Sequence, residues 1–169
     1  MIKRKNIIIL AIGLFLIVLC YVFIKFYNVS NIESNCLVND FDKVFEKENS
    51  LKEGEVYNFS EIFNCKDWDE IIIVGGPRVS RAMIFLKEGV ALPPIDYFNR
   101  AQGSLVFFLV KNGKLISLPI SFYHQDFLYF EDLNSFDYVR LDKEEAIFKC
   151  VELETKGLDE KILTFEIIN

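Results

Sequence analysis

The chain has 169 residues, enough for one domain and an appendage but short for two independent cores. At 51% hydrophobic and 26% charged residues it is too apolar for a disordered polymer, and its 15% aromatic content supplies bulky core material. Lys3, Arg4, Lys5 and Lys25 flank the first apolar run, and no acidic residue precedes Glu33. Setting those four aside leaves 15 of the 19 basic residues against 25 acidic ones, a net charge of −10 beyond Tyr27. That sign argues against a nucleic acid partner, because phosphate binding needs a basic surface, and it disfavours resting on anionic lipid. A basic protein partner is compatible with it.

In chain order, residues 1–6 form a short basic tail and residues 7–24 an uncharged run interrupted only by Gly13, Cys20 and Tyr21. Its length approaches what a hydrocarbon core requires, so a transmembrane helix is predicted. A cleaved signal peptide is the alternative. It is disfavoured because the run is long and the following Lys25-Phe26-Tyr27-Asn28 has no small-residue cleavage pattern. A lipoprotein signal is disfavoured because Cys20 follows Leu19 and is itself followed by apolar residues. Three basic residues before the run and one directly after it place the amino terminus in the cytoplasm and the rest outside. The expected location is the inner or plasma membrane, as a single-pass protein.

Residues 25–36 read as a spacer, and 37–169 as one extracytoplasmic domain. Leu37, Phe41, Val44, Phe45 and Leu51 recur near helical spacing, with Asn39 as a possible cap and Gly54 as a stop. Ile71-Ile72-Ile73-Val74, closed by Gly75-Gly76-Pro77, predicts a strand buried on both faces. A short helix over Arg78 to Glu88 follows, ended by Gly89. Leu105 to Lys111 and Lys114 to Tyr123 form a hairpin about Asn112-Gly113, the second strand lying toward an edge where Pro119 does no harm. A last hairpin spans Ala146 to Ile168, turning near Lys156-Gly157. The fold class is α+β: a transmembrane helix, then one domain of two short helices packed on a mainly antiparallel sheet.

Chemistry-bearing residues are sparse. Beyond the apolar run lie Cys36, Cys65 and Cys150, whose spacings match no zinc pattern. In an oxidising compartment one disulfide is expected. Cys36 with Cys65 is the favoured pair, the other pairings staying open. The one histidine, His124, sits in Tyr123-His124-Gln125-Asp126 without a nucleophile motif, and a loop histidine accounts for it better than a catalytic one. Asp132 to Asp137 lacks the glycine and glutamate of a calcium loop. No cofactor or metal is called for. Gly75-Gly76-Pro77 before Arg78 and Arg81 offers amides and cations for an anion, but a plain strand-to-helix turn is the simpler reading. Trp68, preceding the buried strand, covers a core edge or meets a partner. Seven aromatics lie between Phe122 and Tyr138. Core filling is their common fate, and Tyr123, Phe127, Tyr129 and Tyr138 are the first places to look for a recognition surface.

Trp68-Asp69-Glu70-Ile71-Ile72-Ile73-Val74-Gly75-Gly76-Pro77 resembles a loose group of small bacterial envelope proteins, many of them lipoproteins. In that group a Trp-Asp pair precedes a hydrophobic strand ending in a proline turn, often followed by tyrosine. Arg78 stands at the tyrosine place here, and the lipoprotein cysteine pattern is absent. The resemblance implies location and fold, not an activity. The expected function is a membrane-anchored, non-catalytic domain that binds another protein, in one version an immunity protein against an envelope-acting toxin. An envelope hydrolase using His124 with Asp126 or Cys65, and a structural subunit of an envelope assembly, are the alternatives.

Overall fold

The computed structural model describes residues 4–29, 36–45, 52–75, 79–92, 106–117, 120–121, 129–130, 138–153 and 162–168. Helix α1 (Arg4–Val29) contains the apolar run and continues past it, taking in residues 25–29 that the sequence reading gave to a spacer. Nothing between Lys25 and Val29 is a helix breaker, so the backbone bonds propagate. Asn6–Tyr27 has a mean hydropathy of 3.3, and its most apolar window is not buried inside the protein. A helix apolar on every side, with no partner covering it, is one suited to lipid; a signal sequence has the same character.

The domain is α+β. Helix α2 (Cys36–Phe45) buries Leu37 and Phe41, four apart on one face. The expected continuation to Leu51 falls partly on residues 46–51, outside the described residues. Strand β1 (Val56–Asn58) leads into the short α3 (Phe59–Ile62), where Asn58 Oδ1 accepts the Ser60 amide at 3.0 Å. Strand β2 (Glu70–Val74) is the isoleucine run, and α4 (Arg81–Glu88) follows. The Ser80 hydroxyl caps α4 by accepting the Met83 amide at 3.1 Å, and Gly89 ends it in the left-handed region at φ 69°. Then come β3 (Val106–Lys111), β4 (Lys114–Leu115), β5 (Ile120–Ser121), β6 (Tyr129–Phe130), β7 (Tyr138–Asp142), a 3-10 turn at Lys143–Glu145, β8 (Ile147–Leu153) and β9 (Ile162–Ile167).

These strands form two sheets rather than one. The first has the order β4-β3-β2-β7, with β5 also on β3, and every pairing in it is antiparallel. Asn112 (φ 50°) and Gly113 (φ 67°) make the tight β3–β4 turn, as their sequence requires. The strand expected from Lys114 to Tyr123 is broken into β4 and β5, and it does lie at the sheet's edge. The second sheet has the order β1-β8-β9-β6; β8 and β9 pair antiparallel, and β6 joins β9 in parallel.

Because β2 has neighbours on both sides, its period-two alternation divides its side chains between two clusters. Ile71 and Ile73 join Phe107, Leu109, Leu141, Phe148 and Phe165 in a core between the two sheets, closed by α2, α3 and Trp68. Ile72 and Val74 join Val106, Phe108 and Val110 on the opposite face, covered by Ile84 of α4 and by Val79, Val90 and Leu92 around it. Phe59 is the hub of the first core. Its ring lies 4.5 Å from Phe148, 5.5 Å from Phe63, 5.7 Å from Phe107 and 6.3 Å from Phe165, mostly edge-on.

The Cys36–Cys65 disulfide closes a loop with a sequence separation of 29, tying the start of α2 to the segment before β2. By loop-closure entropy this is worth about 3–4 kcal/mol. Asp40 reinforces the junction by accepting the Cys65 amide at 3.1 Å and Lys43 Nζ at 2.8 Å. Burial works to raise this carboxyl, but those hydrogen bonds and the Lys43 charge outweigh it and hold the group below its ordinary range.

Trp68 is the one tryptophan and is buried, so its fluorescence reports global unfolding. Phe59→Ala should lower unfolding stability by about 3–5 kcal/mol, and Cys36→Ala with Cys65→Ala by about 3–4 kcal/mol. Both are read from the shift in the denaturation midpoint of Trp68 emission.

Candidate functional site

The surface at the end of α4 holds Tyr138, one of the expected recognition residues, together with charged residues from three elements. Strand β7 places Tyr138 and Arg140 on the same face as Ile72 and Val74, through the register Ile72↔Arg140 and Val74↔Tyr138. Glu70 shares that face by parity, and α4 ends above it at Glu88. Arg140 therefore sits between two carboxylates. Its Nη2 donates to Glu70 Oε1 and Oε2, each at 2.7 Å, and its Nη1 donates to Glu88 Oε2 at 2.6 Å. The Tyr138 hydroxyl donates to the other oxygen of Glu88, and Lys87 Nζ lies 5.9 Å from the Tyr138 ring.

These groups are half-buried, with side-chain exposures of 30% for Arg140, 21% for Glu70 and 19% for Glu88, so their interactions are only partly screened by water. The Tyr138 hydroxyl, then the Arg140 guanidinium, hold the Glu88 carboxyl below its usual value against the pull of burial. The Tyr138 phenol is pushed up to about 12, first by burial and then by its bond to anionic Glu88. Chemically the cluster is a lock. Both carboxylates are engaged by one guanidinium, which pins the carboxyl end of α4 to β2 and β7. The sequence reading missed Arg140, Glu70 and Glu88. They stand far apart in the chain, and only the β2–β7 register brings them together.

Other candidates lie elsewhere. Trp68 is not a surface residue: it is 1% exposed, its Nε1 donates to the Phe63 carbonyl at 2.8 Å, and Lys143 Nζ lies 5.3 Å from its ring. A satisfied indole inside the first core has a packing role, the alternative the sequence allowed. Arg81 is half-buried in the first turn of α4. Arg78, its expected companion, lies outside the described residues, as do Tyr123, Phe127, His124 and Asp126. Tyr129 is placed by its backbone in β6, opposite Thr164 of β9. Cys65 is bonded to Cys36, so it is no nucleophile for the hydrolase alternative.

Two apolar features adjoin the lock. Leu86, on the outer face of α4, is 82% exposed, the highest value among the exposed large apolar side chains of the described residues. On the flank of the same helix, the ring of Phe85 lies 5.2 Å from that of Phe26, in the last turns of α1, and Phe26 packs against the second core. Helix α1 and the domain thus meet at α4.

The signs of the two pKa shifts set opposite pH limits. Glu88, with its folded value depressed, contributes stability above its ordinary 4.5 that is lost as pH falls through the folded value. Tyr138, with its folded value raised, contributes stability below its ordinary 10.0 that is lost as pH rises through about 12. Alkaline absorbance titration of the wild type minus Tyr138→Phe should show one phenol ionising near 12. In Glu88→Gln that phenol should ionise nearer its ordinary value. Arg140→Met should cost about 2–3 kcal/mol near neutral pH, by leaving two half-buried carboxylates unpaired, measured by denaturation.

Comparison with known protein families, curated proteins and solved structures gives no match, so the functional reading rests on the chain's own chemistry.

Proposed function

We propose that this chain is an envelope protein held in the membrane by α1, presenting its acidic domain on the extracytoplasmic side to bind another protein without chemistry of its own. The observation that carries the reading is α1 itself: Asn6–Tyr27 is long and apolar enough to span a bilayer, and its most apolar window is not buried inside the protein. The basic residues Lys3, Arg4 and Lys5 before it support a cytoplasmic amino terminus. The Cys36–Cys65 disulfide supports an oxidising compartment for the domain. The net charge of −10 beyond Tyr27 favours a basic partner through electrostatic steering. The resemblance of the Trp68–Pro77 segment to small envelope proteins agrees with the same location. In its most concrete version the domain is an immunity protein, since neutralising an envelope-acting toxin needs only a tethered, charge-complementary surface.

The test has two stages. The intact chain should stay in the membrane pellet through alkaline carbonate extraction at its full mass of 19.7 kDa, and a chain lacking residues 1–29 should be released. A product about 3 kDa short would instead mark cleavage and a secreted domain. Affinity purification from detergent at low salt should then recover a basic protein that is lost as salt rises. Recovery of the domain alone, with an envelope phenotype that disappears in His124→Ala, would overturn the binding reading in favour of the hydrolase alternative.

A further inference from the structure

The most exposed large apolar side chain of the described residues stands on the helix that meets the end of the anchor. That coincidence carries an inference about where the domain rests. Along α4, Ile84 points into the second core and is fully buried. Phe85, one residue on, is half-buried on the flank and stacks at a tilt on Phe26. Leu86, another step round the helix and some 200° from Ile84, is 82% exposed on the outer side. Seen from the domain alone, Leu86 is an apolar group in water with nothing to gain. Seen from the anchor, its position has a purpose.

Asn6–Tyr27 spans 22 residues, or about 33 Å of helix, against a hydrocarbon core of about 30 Å. Phe26 therefore falls at the outer boundary of that core. Phe85 lies one ring contact away from it, and Leu86 beside Phe85, so α4 stands at headgroup depth. The rest of the helix suits an interfacial setting. Arg81, on the same flank as Phe85 by i,i+4 spacing, is a cation on a long stem that suits headgroup depth, and the acidic Glu88 is already paired with Arg140. Lys25, in the last turns of α1, lies at the same level and is half-buried, its ammonium 5.7 Å from the Tyr21 ring.

We propose that α4 is a second membrane contact: Leu86 enters the headgroup and acyl boundary of the bilayer that α1 crosses, so the domain sits down on that membrane with its α4 face. This rests on the reading of α1 as an uncleaved anchor. The contact is made by apolar insertion next to an existing span. It does not depend on anionic lipid, which the domain's overall charge repels. The opposite layer, the outer face of the β1-β8-β9-β6 sheet, then faces away from the bilayer and toward any partner. Glu166 marks that face, between buried Phe165 and half-buried Ile167.

The full-length chain is reconstituted into vesicles of pure phosphatidylcholine, with Cys20→Ser to remove the exposed thiol of α1. A fluorophore is attached at Leu86→Cys or, in a separate protein, at Glu166→Cys; both sites are exposed, so substitution leaves the core intact. Buried Cys150 and the Cys36–Cys65 pair do not compete for the label in the folded protein. Lipids carrying a nitroxide just below the headgroup are then added as quenchers. The expected result is loss of most of the emission at position 86 with little change at position 166. Equal quenching at both positions, or none at either, in protein that resists carbonate extraction overturns the seating of α4 while leaving the anchor in place. Protein that washes off the vesicles overturns the anchor reading and the seating with it.

Discussion

Strand β2 is the constraint on which the domain is built. Both of its edges are hydrogen-bonded, to β3 and to β7, and four of its five side chains are buried, two on each face. A strand in that position leaves no face to water, so apolar cover must come from both directions. One face receives it from α2, α3 and the second sheet, the other from α4. Asp69 sets the entry to the strand with its backbone, donating to the Val110 carbonyl at 2.9 Å and accepting the Lys143 amide at 2.8 Å, so the ladder begins two residues ahead of the isoleucines. Its carboxylate accepts the Asn112 amide at 2.7 Å and steadies the β3–β4 turn. Trp68, just before it, closes the first core. The Trp-Asp pair is therefore the brace of the central strand, a structural reason for that dipeptide to precede an apolar run.

The two covers are unequal. Between the sheets lie interlocking aromatic rings, whereas α4 is eight residues long and fully buries only Ile84. Its attachment is made up by other means, namely the Arg140 lock at its carboxyl end and the contact of Phe85 with Phe26 at its flank. The second core thus takes part of its wall from the end of α1. Continuation of α1 through Lys25 to Val29, where the sequence suggested a spacer, is what carries Phe26 to that wall. Helix α1 and the domain thus share a hydrophobic cluster, which ties the end of the helix to the position of α4.

Local signals in the sequence account for much of this. The uncharged run, the isoleucine strand, the Asn112-Gly113 turn and the Gly89 stop each depend on neighbours within a few residues, and the structure has each of them. What was illegible is long-range. Nothing in the alternation of β8 and β9 shows that they form a separate sheet from β2 and β3, because a hairpin pattern fixes a pair of strands and not the sheet they join. Strand β7 was hidden for a related reason. Tyr138-Val139-Arg140-Leu141 mixes an aromatic and a cation on the face that meets α4, so it read as part of an aromatic surface. The lock itself depends on a register between residues 70 apart, which no local spacing encodes. Trp68 was ambiguous because an indole suits a core edge and an interface equally well; the Phe63 carbonyl that receives its N–H decides between them.

A free thiol can attack an existing disulfide, and the domain carries one beside the Cys36–Cys65 pair. The fold meets that hazard by position. Cys36 and Cys65 are joined at the margin of the first core, where α2 begins. Cys150, on β8, is fully buried between the sheets, and burial, with Glu53 and Glu55 nearby, pushes its thiol up and away from the reactive thiolate. The thiol left over in the domain is thus held away from its reactive form by the core around it. The shielding of the disulfide from Cys150 therefore depends on the packing that also holds β2.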